Sequence, residues 1–246
     1  MRLDIRCYQS VTSTMDVAAQ AAEAGAPEGV VIVADAQTAG RGRRGRSWSS
    51  PPGAGLYLSF VLRPALDDTG GARLSLLTLG AGVAVRAAIE EVSSVAAHLK
   101  WPNDVMIGRR KVAGILAEGL DLGAPRQAVI LGIGINITSS QHPSDVAERA
   151  TSLEAERGAP VDRTRLRDET LRTITDVYRR LRTGDVDDIL RAWREAAPSV
   201  NGAVVEWDSA GGVLRGTTAG IDGAGALMIR TAAGIERVIS GNLRWL

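Results

Sequence analysis

The chain of 246 residues is poor in lysine, histidine and cysteine. Its single cysteine, Cys7, excludes an internal disulfide. Its two histidines, His98 and His142, are far apart and lack the cysteine partners of a metal-ligand cluster, so both read as structural or surface residues. There is no Gly-x-x-x-x-Gly-Lys-Ser/Thr, which excludes a P-loop. The start, Met1-Arg2-Leu3-Asp4-Ile5-Arg6, lacks the apolar core of a signal peptide. The longest nearly apolar stretch, Leu74 to Val85, is broken by Ser75 and Thr78 and falls short of the roughly 18 residues of a spanning helix. Cytoplasmic residence is the expectation. A net charge of only +1 argues against a dedicated nucleic-acid binder, so any positive site must be local. Internal repeats and low-complexity linkers are absent.

Only two lysines, Lys100 and Lys111, stand among 29 lysines and arginines, and both fall in one short segment, Lys100 to Gly114. Arginine-biased codon usage accounts for the scarcity but not for the clustering. An ammonium on a flexible stem does not replace a planar guanidinium, so at least one of the two reads as chemically required.

What the chain does have is a dense loop, Gln37-Thr38-Ala39-Gly40-Arg41-Gly42-Arg43-Arg44-Gly45-Arg46-Ser47-Trp48. Glycines allow close backbone approach to a ligand, and guanidinium forks match phosphate and carboxylate oxygens, so the segment reads as an anion clamp. Gly40-x-Gly42-x-x-Gly45 formally matches the dinucleotide fingerprint, but Ser47-Trp48-Ser49-Ser50-Pro51-Pro52 follows where that motif needs a helix. An RNA-binding arginine-glycine tract would be longer and carry interleaved aromatics, whereas Trp48 stands alone here.

The pattern predicts a strand over Leu3 to Tyr8, then a helix opened by a capping box at Ser13-Thr14-Met15-Asp16 and stopped at Gly25. Buried strands follow at Val30 to Ala34 and Leu56 to Leu62, with the clamp between them. A long helix from about Arg73 to Glu91 leads to Leu99-Lys100-Trp101. A hairpin, Val105 to Ile107 with Lys111 to Glu118, turns at Gly108, and Ala128 to Ile137 is a further interior strand. Arg163 to Arg182 is helical behind an Asp162 cap, and Ile189 to Ala196 forms a second short helix. Beyond Pro198 short strands (Val204 to Trp207, Val213 to Thr218, Ala226 to Arg230, Arg237 to Ile239) alternate with glycine-rich turns, including a hairpin signal at Asp222-Gly223. The expected architecture is α+β over 1–197 with a small β-barrel over 198–246. Local alternatives at the motifs are a capped turn for Lys100 to Asp104 and an Asx turn for Asn136.

In order, Gln37-x-x-Gly40-Arg41-Gly42-Arg43-x-Gly45-Arg46-x-Trp48, Lys100-Trp101-Pro102-Asn103-Asp104, Lys111-x-Ala113-Gly114-Ile115 and Gly132-x-Gly134-x-Asn136 resemble the biotin protein ligases, also called biotin acetyl-CoA-carboxylase ligases. The resemblance extends from Ser13-Thr14 to Gly241 in Ile239-Ser240-Gly241-Asn242. It implies a mixed-sheet catalytic domain related to lipoate ligases and a C-terminal SH3-like barrel. The implied reaction joins biotin to the α-phosphate of ATP, with Mg²⁺, and passes the biotinyl group from biotinyl-5′-AMP to a lysine of a biotin carboxyl carrier domain. Two anions must meet in the first step, and their repulsion at about 4 Å is roughly 4 kcal/mol at an effective dielectric near 20, so the site must supply cations.

By resemblance, Ser13, Thr14, Gln37, Gly40, Arg41, Gly42, Arg43, Lys111 and Gly114 bind biotin. Arg46, Trp48, Asn103, Asp104, Lys111 and Asn136 bind the nucleotide. Lys111, Arg43 and Asp104 carry the catalytic roles, Lys111 by stabilising charge on the reacting phosphate and Asp104 by orienting or deprotonating the acceptor amine. The glycine-arginine loop has the composition of a lid that orders on ligand binding. The family often has Asn after Ser-Thr, where Met15 stands here. Repressor members begin with a winged helix-turn-helix, which is not expected in this chain, and neither is membrane association. A homodimer is left open. The alternatives are a lipoate or octanoate ligase on the same fold, or an RNA-binding module using the clamp.

Overall fold

A computed structural model describes residues 1–64, 70–123, 127–139, 148–209, 212–239 and 243–246. His142 and the Ser240-Gly241-Asn242 motif lie outside the described residues. Seven strands build the main sheet: β1 (Asp4–Val11), β2 (Val30–Gln37), β3 (Gly55–Leu62), β4 (His98–Lys100), β5 (Asp104–Ile107), β6 (Arg110–Leu120) and β7 (Ala128–Asn136). Their order is β1-β2-β3-β7-β6-β5-β4. Only the β1–β2 ladder is parallel, so the sheet is mixed, as expected for the α+β class.

The two faces of this sheet differ because side chains alternate along each strand. On β7, Val129, Leu131, Ile133 and Ile135 point into the large core. There they meet α2 (Gly70–Ser93), against which α4 (Arg163–Arg182) and α5 (Val186–Ala196) pack. The other face carries a smaller cluster of Met15, Ala18, Ala22, Val30, Ile32, Val61, Ala128 and Ile130 beneath α1 (Thr14–Glu23). Alanine on the buried side of α1 lets this helix lie close to β2 and β3. Beyond it Gly132 and Gly134 leave the face bare.

The start of α1 differs from a full capping box. The Ser13 hydroxyl accepts from Met15 N at 3.2 Å, but the Asp16 carboxylate pairs with Arg41 instead of closing the box. At the other end Gly25 takes φ +89°, and Arg63 donates to the Ala22 and Ala26 carbonyls. The Ala22 carbonyl, in the last turn of α1, also accepts from Gly25 N at 3.0 Å, and Ala26 follows the helix. A short helix missed by sequence, α3 (Leu153–Arg157), is capped by Ser152.

After the turn Pro198–Val200 comes a second, antiparallel sheet of β8 (Asn201–Ser209), β9 (Gly212–Ile221), β10 (Leu227–Thr231), β11 (Gly234–Val238) and β12 (Leu243–Trp245), ordered β11-β10-β9-β8-β12. This fits the expected SH3-like unit, although among the described residues no ladder joins β11 to β12 and no closed barrel is found. The Asp222-Gly223 signal marks the hairpin between β9 and β10. The chain turns over five residues, with Asp222 Oδ1 accepting from Ala224 N and Ala226 N at 2.9 Å each and Gly225, not Gly223, in the left-handed region. The hairpin between β9 and β10 is thus closed by an Asx-type turn.

The two sheets are tied at the segment before β5. Trp101 is buried, and its Nε1 donates to Gly225 O at 3.1 Å, while Lys100 Nζ lies 5.5 Å from the Trp245 ring centroid. Trp101→Phe leaves that buried carbonyl without its donor. Urea unfolding should show a loss of about 1–3 kcal/mol. Unchanged stability would mean that this bond does not hold the C-terminal sheet.

Candidate active site

On the bare face of the main sheet a cleft of about 450 Å³ is lined by Ser13, Thr14, Gln37, Arg41, Gly42, Arg43, Trp48, Asn103, Lys111 and Gly114 among the expected site residues, with Met15, Leu116, Gly132 and Gly134 added. Its floor is a pair of facing glycines. Gly114 on β6 is the ladder partner of Gly134 on β7, and Gly132 faces Leu116 in the same ladder. The Trp48 indole rests on this floor. A Cβ at Gly134 would lie 2.5 Å from Trp48 Nε1, and one at Gly114 would lie 3.0 Å from Trp48 Cζ3. Met15 covers Gly132 in the same way, its sulfur 2.7 Å from where a Cβ would stand. The period-two spacing Gly132-x-Gly134-x-Asn136 therefore puts three side-chain positions on one face.

One end of the cleft is neutral and hydrogen-bonding. Gln37 Oε1 accepts from Thr14 N at 2.8 Å and from Thr14 Oγ1 at 3.1 Å. Gln37 Nε2 donates to Ser50 Oγ at 2.7 Å, which donates on to Trp48 O at 3.1 Å. Thr14 Oγ1 lies 2.8 Å from Ser59 Oγ, and since the threonine proton goes to Gln37, Ser59 is the donor. This chain fixes which way the carboxamide points. Ser59 is fully buried and Ser50 nearly so. Neither stood out in the sequence, although Ser59 interrupts the otherwise apolar and aromatic strand GLYLSFVL.

The other end is cationic. Lys111 Nζ sits 2.5 Å from Asp104 Oδ1 and 5.2 Å from the centroid of the Trp48 ring. Asp104 is not itself among the lining residues and serves as the counter-ion of Lys111. Arg43 Nη1 reaches Asn103 Oδ1 at 3.4 Å, and Asn103 is itself pinned to β6 by Nδ2 to Ile115 O at 2.8 Å and by its own carbonyl, which accepts from Ile115 N at 3.0 Å. Burial pulls the Arg43 guanidinium below the usual arginine range, and Arg44 and Arg46 add to this while Asp104 opposes it. Burial likewise lowers the Lys100 ammonium, against the pull of Asp104.

Besides Asp104, three expected residues stand apart from the lining. Gly40 is required by the loop itself, because a Cβ there would lie 2.3 Å from Trp48 O. Asn136 is buried at the end of β7 and donates to Thr151 O at 3.0 Å, the residue whose N–H bonds to Lys111 O at 2.9 Å. Its side chain thus braces the backbone of Lys111 through Thr151. Arg46 is exposed beside the loop tip, where its carbonyl accepts from Gly42 N at 2.7 Å.

A second cavity, of about 680 Å³, meets the cleft at Arg43, Asn103, Ile115 and Leu116. Its other walls are Leu74, Thr78 and Leu79 of α2, Trp101-Pro102, Gly225 and Ile239. Among the described residues no group of three or more His, Cys, Asp and Glu side chains is placed to hold a metal, and no helix is long and apolar enough to cross a membrane.

Because the indole rests on bare backbone, Gly134→Ala should evict it from the floor. Acrylamide quenching, with Trp48→Phe as the reference that removes this one fluorophore, should report a more accessible Trp48 in the alanine variant. Equal quenching in wild type and variant would show that the facing glycines do not seat the ring.

The bifunctional ligase/repressor BirA of Bacillus subtilis is 37% identical over 192 residues, covering 77% of this chain and 58% of that protein. The biotin--[acetyl-CoA-carboxylase] ligase of Mycobacterium tuberculosis is 38% identical over 169 residues, covering 68% of this chain and 60% of that protein. The chain thus spans less than two thirds of the length of these relatives. A solved structure of the biotin protein ligase of Aquifex aeolicus, in complex with biotin and ATP, superposes with a TM-score of 0.85 at 31% identity, covering 99% of each chain. Residues 7–136, the stretch from β1 through β7 that supplies every lining side chain of the cleft, match the model of the Biotin/lipoate A/B protein ligase family, and the chain belongs to that family.

Proposed function

We propose that the protein is an ATP-dependent biotin protein ligase. The observation that carries this is the polarity of one cleft: a locked neutral hydrogen-bonding end at Thr14, Gln37 and Ser59, and a cationic end at Arg43 and Lys111, on one glycine floor. Biotin has the matching polarity, with a neutral ureido ring at one end and a carboxylate at the other. A close structural relative solved with biotin and ATP supports the same reading.

In the first step the biotin carboxylate attacks the α-phosphorus of ATP. A P–O bond forms, the bond to the β-phosphate oxygen breaks and pyrophosphate leaves. Arg43 and Lys111 offset the charge that gathers as the anions meet, a task of positioned electrostatics rather than proton transfer. Asp104 keeps the Lys111 ammonium in place until then. The residues fit Mg²⁺ as an ion that arrives on ATP, since Asp104 offers a carboxylate at the cationic end and Mg²⁺ is commonly held by one or two carboxylates plus substrate phosphates. Bound there, it supplies neutralisation of phosphate charge.

In the second step a lysine amine of a biotin carboxyl carrier domain attacks the acyl carbon of biotinyl-5′-AMP, and AMP leaves. With a reference pKa near 10.4, about one such amine in a thousand is neutral near pH 7.4. We assign to Asp104, the partner of Lys111, the task of orienting that amine or taking its proton. The second cavity, opening between α2 and the C-terminal sheet and meeting the cleft at Arg43, gives a macromolecular acceptor a way to the acyl group. We divide the chain into a ligase core, 1–197, and a C-terminal unit, 198–246, at the turn before β8. Its need for ATP and a carboxylase partner fits the cytoplasm.

Incubation with ATP, Mg²⁺, biotin and a biotin carboxyl carrier domain should raise the carrier mass by one biotinyl group, with the rate about 10²- to 10³-fold lower in Lys111→Ala. A gain only with lipoate or octanoate on a lipoyl domain would move the protein to the sister activity. Asp104→Asn should slow transfer from preformed biotinyl-5′-AMP. If it slowed adenylate formation alone, the role of Asp104 toward the amine would be lost.

A further inference from the structure

Arg41 begins the arginine run of the loop, yet its charge is already engaged. Nη1 lies 2.6 Å from Asp16 Oδ1, and Nη2 forms an ion pair with Glu118 Oε2. Asp16 stands in the first turn of α1, two residues after Thr14, and Glu118 stands on β6 on the same face as Gly114 and Leu116. These are two separate walls of the cleft. One guanidinium therefore joins the loop to both.

The loop needs such a tie because it is otherwise closed on itself. Trp48 N donates to Gly40 O at 2.8 Å, Gly42 N to Arg46 O at 2.7 Å and Arg46 N to Arg43 O at 3.3 Å. Arg41 and Ser47 form an isolated antiparallel bridge. Thr38 N and Ala39 N are fixed to Val11 O and Thr12 O, at 2.9 and 2.8 Å, so the fixed body ends at Ala39 and a small hairpin hangs beyond it. A hairpin bonded within itself moves as a unit, and its side-chain attachments decide where it rests. Two of them, the Trp48 ring on the floor and Arg43 on Asn103, occupy ground that ligands enter. The Arg41 pairs lie at the rim, with all three side chains between 33% and 42% exposed, so they can persist when the cleft is filled.

We propose that Asp16 and Glu118 are positioning residues that hold Arg41, and through it the Gly40–Trp48 hairpin, closed over the cleft. Two carboxylates around one guanidinium leave no net positive charge there, so Arg41 is a clasp and the anion-binding duty falls to the remaining cations. Through the clasp the two carboxylates set how long biotin and the acyl-adenylate stay bound, a consequence that rests on the ligase reading above. Exposed pairs are individually weak and are screened by salt, which limits the joint effect to about tenfold.

The test uses the full chain carrying Asp16→Asn and Glu118→Gln together, with Asp16→Glu and Glu118→Asp as the charge-conserving control and a thermal melt to verify folding. In the absence of any ligand, trypsin should cleave within residues 41–46 about five- to tenfold faster in the amide variant, and 1 M NaCl should bring the wild type toward it. During turnover, kcat for pyrophosphate release should stay within about twofold while KM for biotin and the release rate of biotinyl-5′-AMP rise about five- to tenfold, the control staying near wild type. Unchanged cleavage in the folded amide variant, or unchanged KM and release, overturns the proposal. A wild type that forms no biotinyl-5′-AMP would sink the ligase reading instead, and the ligand-free cleavage would still decide the clasp.

Discussion

The cleft exists because β6 and β7 pair glycine with glycine on one face while their alternate residues bury isoleucine, leucine and valine on the other. Strand alternation makes these two requirements independent. The core face can be filled to native density against α2 without constraining the face that meets a ligand. With Cβ atoms at 114 and 134 the sheet would present an ordinary side-chain layer, and neither the indole nor a flat substrate could approach the backbone. The cleft is a part of the main sheet where large side chains are withheld from an otherwise interior position. Gly132 is closed over by Met15 from α1, so the bare area ends at the first turn of the helix that carries Ser13 and Thr14.

Around that floor the ionic groups are arranged in pairs before any substrate arrives. Lys111 is held by Asp104, Arg41 by Asp16 and Glu118, and Arg43 by the neutral oxygen of Asn103. The difference between these partners matters. A carboxylate neutralises its cation, whereas an amide oxygen orients a guanidinium and leaves its full charge available. Arg43 reaches the cleft without a carboxylate bonded to it, and burial and Arg44 pull its pKa down while Asp104 opposes them. An arriving anion supplies the missing partner.

Much of this was legible in the sequence, for identifiable reasons. The long helix α4 was read to the residue because its apolar period and Asp162 cap agree. The glycine spacing of β7 and the loop composition each encode a local geometry, and local geometry is what a linear pattern reports. The unread parts are those that depend on contacts distant in sequence. Ser59 completes the Thr14–Gln37 chain from 45 residues away, and Glu118 reaches Arg41 across 77. Asp16 was read as a local capping residue because its spacing from Ser13 allows it, but a charged partner from another segment won the carboxylate. Asp222-Gly223 does mark the corner between β9 and β10, and there the aspartate serves both kinds of partner, two local N–H groups on one oxygen and Arg237 on the other.

The division between arginine and lysine follows from these roles. A guanidinium presents donors in a fixed planar fork, so Arg41 can hold carboxylates on two elements at once, and Arg43 can meet Asn103 with one nitrogen and still offer others to the cleft. An ammonium is a compact point charge on a flexible stem. Lys111 uses that difference: its head sits between the Asp104 carboxylate and the face of Trp48, close over the bare backbone of Gly114, where a planar fork would be obstructed by the ring. Lys100 packs its stem between buried neighbours and sets its charge against the face of Trp245, at the junction of the two sheets. In a chain that otherwise uses arginine throughout, lysine survives at the two places where a cation must fit against an indole and beside Asp104 in the same small volume.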